Sequence, residues 1–221
     1  KKYLINAMNY PILYSFKRCP YAMRARMALK LADIKCELRE VRLNNKPNHM
    51  LEVSPKGTVP ILILKDNVID ESIEIINWVL TKADLFKNDI SQDQMDLSEE
   101  IILIFDNKFK YHLDRYKYST RYEDADIEFH QNKCLNILHD LEKIISNADW
   151  IFGDKLNKLD ISILPFIRQY RIANPVWFDS QREICKVQKI LRNFLDSKLF
   201  IEIMQVYDVW EEGSDPTYFP I

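Results

Sequence analysis

The chain has 221 residues, with 31 Lys or Arg against 33 Asp or Glu and a formal net charge of −2. That length suffices for one large domain or two small ones, and the near-neutral balance gives no electrostatic reason to expect nucleic acid as a partner. No apolar run approaches a membrane span, and three glycines with neither a GxGxxG nor a Walker pattern exclude phosphate-cradling loops.

In chain order, residues 1–7 do not resemble the start of a globular domain; Met8 is read as the native start, and 1–7 are set aside. Pro11–Phe16 then reads as a strand and Pro20–Ala32 as a helix with Met23, Met27, Ala28 and Leu31 on one face. Cys36–Val41 is a second strand, Asn44–Glu52 a polar loop with a short helix, and Pro60–Leu64 a third strand. Asp66-Asn67 turns the chain into Val68–Ile69 as a hairpin, and Glu71–Lys82 closes the series as a helix. This β-α-β-α-β-β-α order is the outline of a thioredoxin-like fold. Every later segment is predicted helical: Gln94–Tyr118, Asp126–Ser146, Asp160–Ile172, Gln181–Asp196 and Ser197–Tyr207. Glu211–Ile221 is expected as an extended tail lying on the helices. The reading is therefore an α/β thioredoxin-like domain over residues 8–84, a polar linker over 85–93, and an all-α domain over 94–221.

Cys19-Pro20-Tyr21-Ala22 carries the chemical signal. Pro20 suits the first helical position, which makes Cys19 the N-cap, facing unpaired N–H groups and the positive end of the helix dipole. Lys17, Arg18, Arg24 and Arg26 add cationic charge nearby, and both effects favour thiolate over thiol. Ala22 stands where a dithiol motif would carry its second cysteine, so a reacting Cys19 needs a partner thiol from outside. An isolated Cys-Pro is more often an inert packing residue, so the motif needs support from the rest of the chain. Cys36, Cys134 and Cys185 sit in apolar stretches and are expected to be buried and unreactive; scattered cysteines fit a reducing, cytoplasmic setting. The four histidines show no metal-ligand spacing, and no metal is expected.

Two further motifs follow in order. Thr58-Val59-Pro60 precedes the third strand, and Glu71-Ser72 opens the next helix. With Cys-Pro-Tyr-Ala ahead of them, they resemble the cytosolic glutathione transferase superfamily, and the cysteine resembles its omega-type and related bacterial members. The resemblance implies a cis bond before Pro60, with the Val59 backbone pairing to the cysteinyl unit of glutathione. It implies that Ser72 and the helix N-terminus hold the γ-glutamyl carboxylate, that Glu71 supports the γ-glutamyl amine, and that Tyr21 belongs to the same glutathione site. Asn45-Lys46-Pro47 also looks omega-like, which would bring Lys46 to the glycine carboxylate; read alone, Lys46 is a solvated loop lysine. Asn157-Lys158-Leu159-Asp160 resembles the family's N-capping box, with Asn157 where Ser or Thr is usual, and reads as folding architecture.

The implied activity is glutathione-dependent thiol transfer: deglutathionylation or small-disulfide reduction through a Cys19–glutathione mixed disulfide, with dehydroascorbate reduction a related activity. Glutathione is then the co-substrate, and a small disulfide or electrophile the second substrate. That substrate is expected between the domains, with Phe109, His112, Tyr116 and Arg168 as candidate contacts. A homodimer is expected from the resemblance, and charge and hydropathy give no nucleic-acid or membrane partner. The alternatives are a conventional conjugating transferase, a non-catalytic relative acting by protein contacts, or a soluble relative of the chloride-channel-like proteins.

Overall fold

Leu13 and Tyr14 are wholly buried because their strand runs through the middle of a sheet with partners on both sides. The computed structural model describes residues 10–86, 90–123 and 125–221; the readings of residues 1–7 and of Met8, and the middle of the expected linker, lie outside them. The first strand, β1 (Ile12–Ser15), is followed by α1 (Pro20–Leu31), β2 (Cys36–Glu40), α2 (Asn48–Val53), β3 (Ile61–Ile63), β4 (Val68–Ile69) and α3 (Ser72–Leu80). The thioredoxin-like order expected from the sequence is present.

The sheet order is β4-β3-β1-β2 with a fifth strand, β5 (Tyr218–Phe219), beyond β2. β1 pairs parallel with β2 and antiparallel with β3, so Leu13 lies opposite Leu38 on one side and Leu62 on the other. Alternation along β1 sends Ile12 and Tyr14 into a cluster with Val41, Met50, Ile61 and Ile63. The opposite side of the strand carries Ser15, whose hydroxyl meets Arg26 of α1. α1 packs against α3 and against α10 (Lys198–Ile203), which leaves residues 22–29 buried all round.

The tail departs from its expected place on the helices. It returns to the thioredoxin-like unit, which comprises residues up to Leu85 together with Lys198–Ile221. β5 pairs antiparallel with β2, placing Phe219 opposite Cys36, and the Leu38 N–H donates to Thr217 O at 2.7 Å. The physical reason is the edge of β2: without a neighbour its backbone groups would face solvent as a pairing template. Two residues of β-former, Tyr218-Phe219, were too short a signal to read against a background of Pro and acidic residues. Phe219→Ala is expected to cost about 3–4 kcal/mol of stability, as for other buried phenylalanines, measured by urea denaturation. A loss below about 1 kcal/mol would mean that β5 does not seal the sheet.

The second unit, Phe86–Ser197, is helical. It contains α4 (Gln92–Ile104), α5 (Lys110–Lys117), α6 (Ile127–Ile144), α7 (Lys158–Ala173), α8 (Pro175–Ser180) and α9 (Cys185–Asp196). The single helix expected over 94–118 is interrupted by a π-helical segment, Phe105–Phe109, in which both phenylalanines are buried and stacked with centroids 4.4 Å apart. The helix expected from Gln181 begins as a 3₁₀ turn, and its start is capped from α6, where Glu142 accepts the N–H groups of Lys186 and Val187 at 2.9 Å each. That cap lies far away in the chain and has no local signature. α8 is not among the expected elements, although Asn174-Pro175 signals it: Asn174 accepts the Trp177 N–H at 3.1 Å and Pro175 takes the first helical position.

Candidate functional site

Cys19 stands at the N-cap of α1 with extended backbone (φ −74, ψ 124) and Pro20 behind it, as its sequence predicts. Its backbone closes the turn: Cys19 N–H donates to Phe16 O at 3.0 Å, and Cys19 O accepts from Met23 N–H at 2.9 Å. The thiol does not cap the helix. It points across to the next loop, with Sγ 3.7 Å from Val59 O, and is partly exposed. The Val59–Pro60 bond is cis.

Of the three arginines read from sequence as nearby charge, Arg24 and Arg26 are buried inside the unit. Arg24 donates from Nη1 to Ser72 Oγ at 3.2 Å, tying α1 to the first residue of α3, and its guanidinium lies over the Tyr21 ring at 5.4 Å. Arg26 donates to Ser15 Oγ and to Lys17 O, each at 2.6 Å. Burial pushes Arg26 down to about 10, against the support of the nearby Glu40 carboxylate, so it remains charged at neutral pH.

Ser72 is 4% exposed at the start of α3, and Glu71 is its N-cap residue, so this pair holds the helix-opening position read from sequence. Lys56, which no local motif marks, donates to Glu71 Oε1 at 2.7 Å and to Asp70 Oδ1 at 3.0 Å. The other oxygen of Asp70 accepts from Ser54 at 2.7 Å, and these bonds hold its carboxyl below the usual range. The Ser54–Lys56 turn and the start of α3 are thereby fixed together. Gly57 closes that turn with φ +60, and Lys46 lies over it: a Cβ at Gly57 would meet Lys46 Nζ at 3.4 Å and Leu51 at 3.0 Å. Cys19, Val59, Ser72 and Lys46 thus all belong to the thioredoxin-like unit.

The remaining candidates lie in the helical unit. Phe109 is a core residue at 0% exposure, stacked on Phe105 and edge-on to Tyr170. Tyr116 is buried too, its hydroxyl accepting from Gln131 Nε2 at 2.9 Å and its ring against Tyr170. His112 faces His130 with Nδ1 atoms 2.8 Å apart, one donating and one accepting. Burial is the main cause that lowers both imidazoles; His130, Lys133 and Arg115 then lower His112, and Arg115 lowers His130 against the opposing Asp126. This pairing was invisible from sequence, since the residues sit on α5 and α6 and meet only through helix packing. Arg168 on α7 is partly buried, which lowers its pKa. Asn157 and Asp160 form the capping box of α7 as expected: Asn157 Oδ1 accepts the Leu159 N–H at 2.8 Å, and Asp160 Oδ2 accepts the Asn157 N–H at 2.9 Å.

Cys185 departs from its expected burial. It opens α9 on the surface, with Sγ 3.5 Å from Glu142 Oε1, because the acidic cap of that helix keeps its first turn at the solvent edge. Cys36 and Cys134 are buried, and burial pushes the Cys36 thiol up to about 12 and Cys134 higher still than an ordinary thiol. Alkylation near neutral pH, mapped by peptide mass, is expected to modify Cys19 and Cys185 and to spare Cys36 and Cys134 until denaturant is added. Early loss of the Cys36 thiol would contradict the sealed β2–β5 edge.

Fold and site together define a thioredoxin-like thiol protein, with the cysteine at the head of α1 facing a cis-proline loop. Comparison with known proteins narrows the class. A family profile described as "Glutathione S-transferase, N-terminal domain" matches residues 13–86. The probable glutathione S-transferase parA of Nicotiana tabacum is 30% identical over 168 residues, covering 72% of this chain and 72% of its own. The glutathione S-transferase omega-2 of Rattus norvegicus is 23% identical over 218 residues, covering 88% of this chain and 83% of its own. Among solved structures, a glutathione transferase family member from Pseudomonas fluorescens with two glutathione bound superposes with a TM-score of 0.74 at 20% identity, covering 90% of this chain and 94% of that one. The Tau-class transferase MiGSTU from mango gives the same TM-score, identity and coverage. This chain belongs to the glutathione S-transferase family and is a glutathione transferase enzyme.

Proposed function

We propose that the enzyme is a glutathione-dependent thiol transferase that uses Cys19 as its single nucleophile. The observation that carries this reading is the geometry of Cys19: a partly exposed thiol at the N-terminus of α1, aimed at the cis-proline loop, with alanine at position 22. Cys36, the other cysteine of the thioredoxin-like unit, is sealed within the sheet, so that unit offers no second accessible thiol to resolve an adduct. The omega-class likeness over 88% of the chain supports the same reading.

The exchange balances with glutathione as the only co-reactant. Thiolate Cys19 attacks the glutathione sulfur of a mixed disulfide, forming a Cys19–glutathione bond while the substrate sulfur leaves and takes a proton. A second glutathione thiolate attacks that bond, releasing glutathione disulfide and restoring the Cys19 thiolate. The Val59 carbonyl and N–H would meet the cysteinyl unit, displacing the long Cys19 S–H contact to Val59 O. Ser72, which already accepts from Arg24, keeps its own O–H to donate to the γ-glutamyl carboxylate beside the α3 N–H groups. Glu71, steadied by Lys56, faces the amine, Lys46 the glycine carboxylate, and Tyr21 borders the same site. In the helical unit His112 and Arg168 remain as second-substrate contacts; the Phe109 ring and the Tyr116 hydroxyl are already engaged in its core.

Incubation with glutathione disulfide followed by intact-mass and peptide analysis tests the reading. One glutathione adduct on Cys19, removed by added glutathione, is the expected result. Retention on immobilised glutathione without such an adduct would point to a conjugating transferase, and absence of both to a protein acting by contacts alone.

A further inference from the structure

The Lys17 peptide, two residues before Cys19, is held at both ends by buried side chains. Its N–H donates to Glu40 Oε1 at 2.6 Å, and its carbonyl accepts from Arg26 Nη2 at 2.6 Å. Arg26 uses Nη1 on Ser15 Oγ at 2.6 Å and stands 4.0 Å from the other Glu40 oxygen. Arg26 is 1% exposed and Glu40 8%, so neither bond competes with bulk water. Glu40 is held in turn by the tail, since its backbone carbonyl accepts the Trp210 N–H at 2.8 Å.

We propose that Arg26 is the positioning residue of the Cys19 turn: with Glu40 it clamps the Lys17 peptide, and its buried guanidinium gives the thiolate a fixed positive charge. The proposal rests on Cys19 being the reacting thiol. A buried arginine with one imperfectly placed counter-ion is costly to keep, and packing alone does not explain it. Its Nε has no hydrogen-bond partner among the described residues, and Glu40 Oε2 likewise has none, so the pair is not a closed salt bridge. The groups whose charges act on Arg26 are Glu40 of β2, Cys19 of the turn and Tyr207 beyond α10, each of which favours its charged form. By reciprocity the guanidinium favours the Cys19 thiolate, and Lys17 adds to the field at Glu40. The clamp also fixes where the sulfur sits, because the Cys19 N–H is bonded within the same turn, to Phe16 O at 3.0 Å.

The test is the pH profile of Cys19 alkylation by iodoacetamide, measured in a Cys185→Ser background with the melting temperature followed in parallel. Arg26→Met is expected to raise the midpoint by about one pH unit, roughly tenfold less thiolate at a given pH below it. Glu40→Gln keeps an acceptor for the Lys17 N–H but removes the opposing charge, and is expected to lower the midpoint. Arg26→Lys keeps charge but cannot span Ser15 and Lys17 O together, and is expected to fall between wild type and Arg26→Met. A merely structural role predicts that all three variants loosen the turn and shift the midpoint in one direction, so that outcome overturns the proposal. So does an unmoved midpoint in Arg26→Met. If Arg26→Met does not fold, the opposite signs of Arg26→Lys and Glu40→Gln decide. Alkylation needs no glutathione, so failure here is separate from failure of the thiol-transfer reading, which shows as a missing Cys19 adduct.

Discussion

Cys19→Ser is expected to lower glutathione-dependent reduction of a small mixed disulfide by at least about a thousandfold in kcat/KM, roughly 4 kcal/mol of barrier. A serine hydroxyl at the head of α1 ionises far less readily than a thiol, and oxygen forms no stable counterpart of the Cys19–glutathione disulfide. The variant leaves Val59, Ser72, Arg24 and the turn of Lys56 and Gly57 untouched, so glutathione affinity should change by no more than about twofold. The serine also has a hydroxyl to donate to a bound glutathione thiolate, so conjugation of an electrophile is expected to rise while disulfide reduction is lost. Steady-state assays of both reactions on one preparation give the answer. Disulfide reduction that survives the change would remove Cys19 from the chemistry.

Asp160→Ala is expected to be among the most destabilising single changes outside the site. The Asp160 carboxylate is 0% exposed and accepts two buried N–H groups, from Ile151 at 3.1 Å and from Asn157 at 2.9 Å. Alanine strands both donors and opens the capping box of α7, the helix buried through the middle of its unit. At about 1–3 kcal/mol for each unsatisfied group, the loss is about 4 kcal/mol, read from urea denaturation. The pH dependence has a definite sign. Burial pushes the Asp160 carboxyl up to about 7, overriding the two N–H donors that favour its charge. A folded carboxyl titrating above its unfolded value of 3.8 contributes stability that is full below that value and is lost as pH rises through about 7. The stability difference between wild type and Asp160→Ala should therefore shrink from pH 4.5 to pH 7.5. A difference that grows over that range would show that the two backbone donors outweigh burial.

How much was legible depended on how local the cause was. Pro20 after Cys19, Asn157 three residues before Asp160, and the alternation of β1 act within a turn or a strand, so sequence reading placed them where the structure has them. Arg24 and Arg26 were correctly placed near Cys19 but misread as ambient charge. Their burial depends on α3 and α10 covering α1 from two sides, and α10 lies far along the chain. The Lys56 bridge to Asp70 and Glu71 failed to register for the same reason: nothing near Lys56 announces a partner fourteen residues away.

Residue pattern was enough for the thioredoxin-like order of elements, the thiol at a helix start and the capped helix of the second unit, whereas the proline loop was implied by the family resemblance and is seen to face Cys19 in the structure. The helix start and the capping box are each written in residues a few positions apart, where backbone sterics and capping decide. Packing between distant segments is what brings the C-terminal tail beside β2, His112 to His130 and Cys185 to the surface, and makes Arg26 and Glu40 grip the Lys17 peptide. These depend on distant segments burying one another's polar groups, and a buried donor seeks its acceptor wherever the packing brings one within reach.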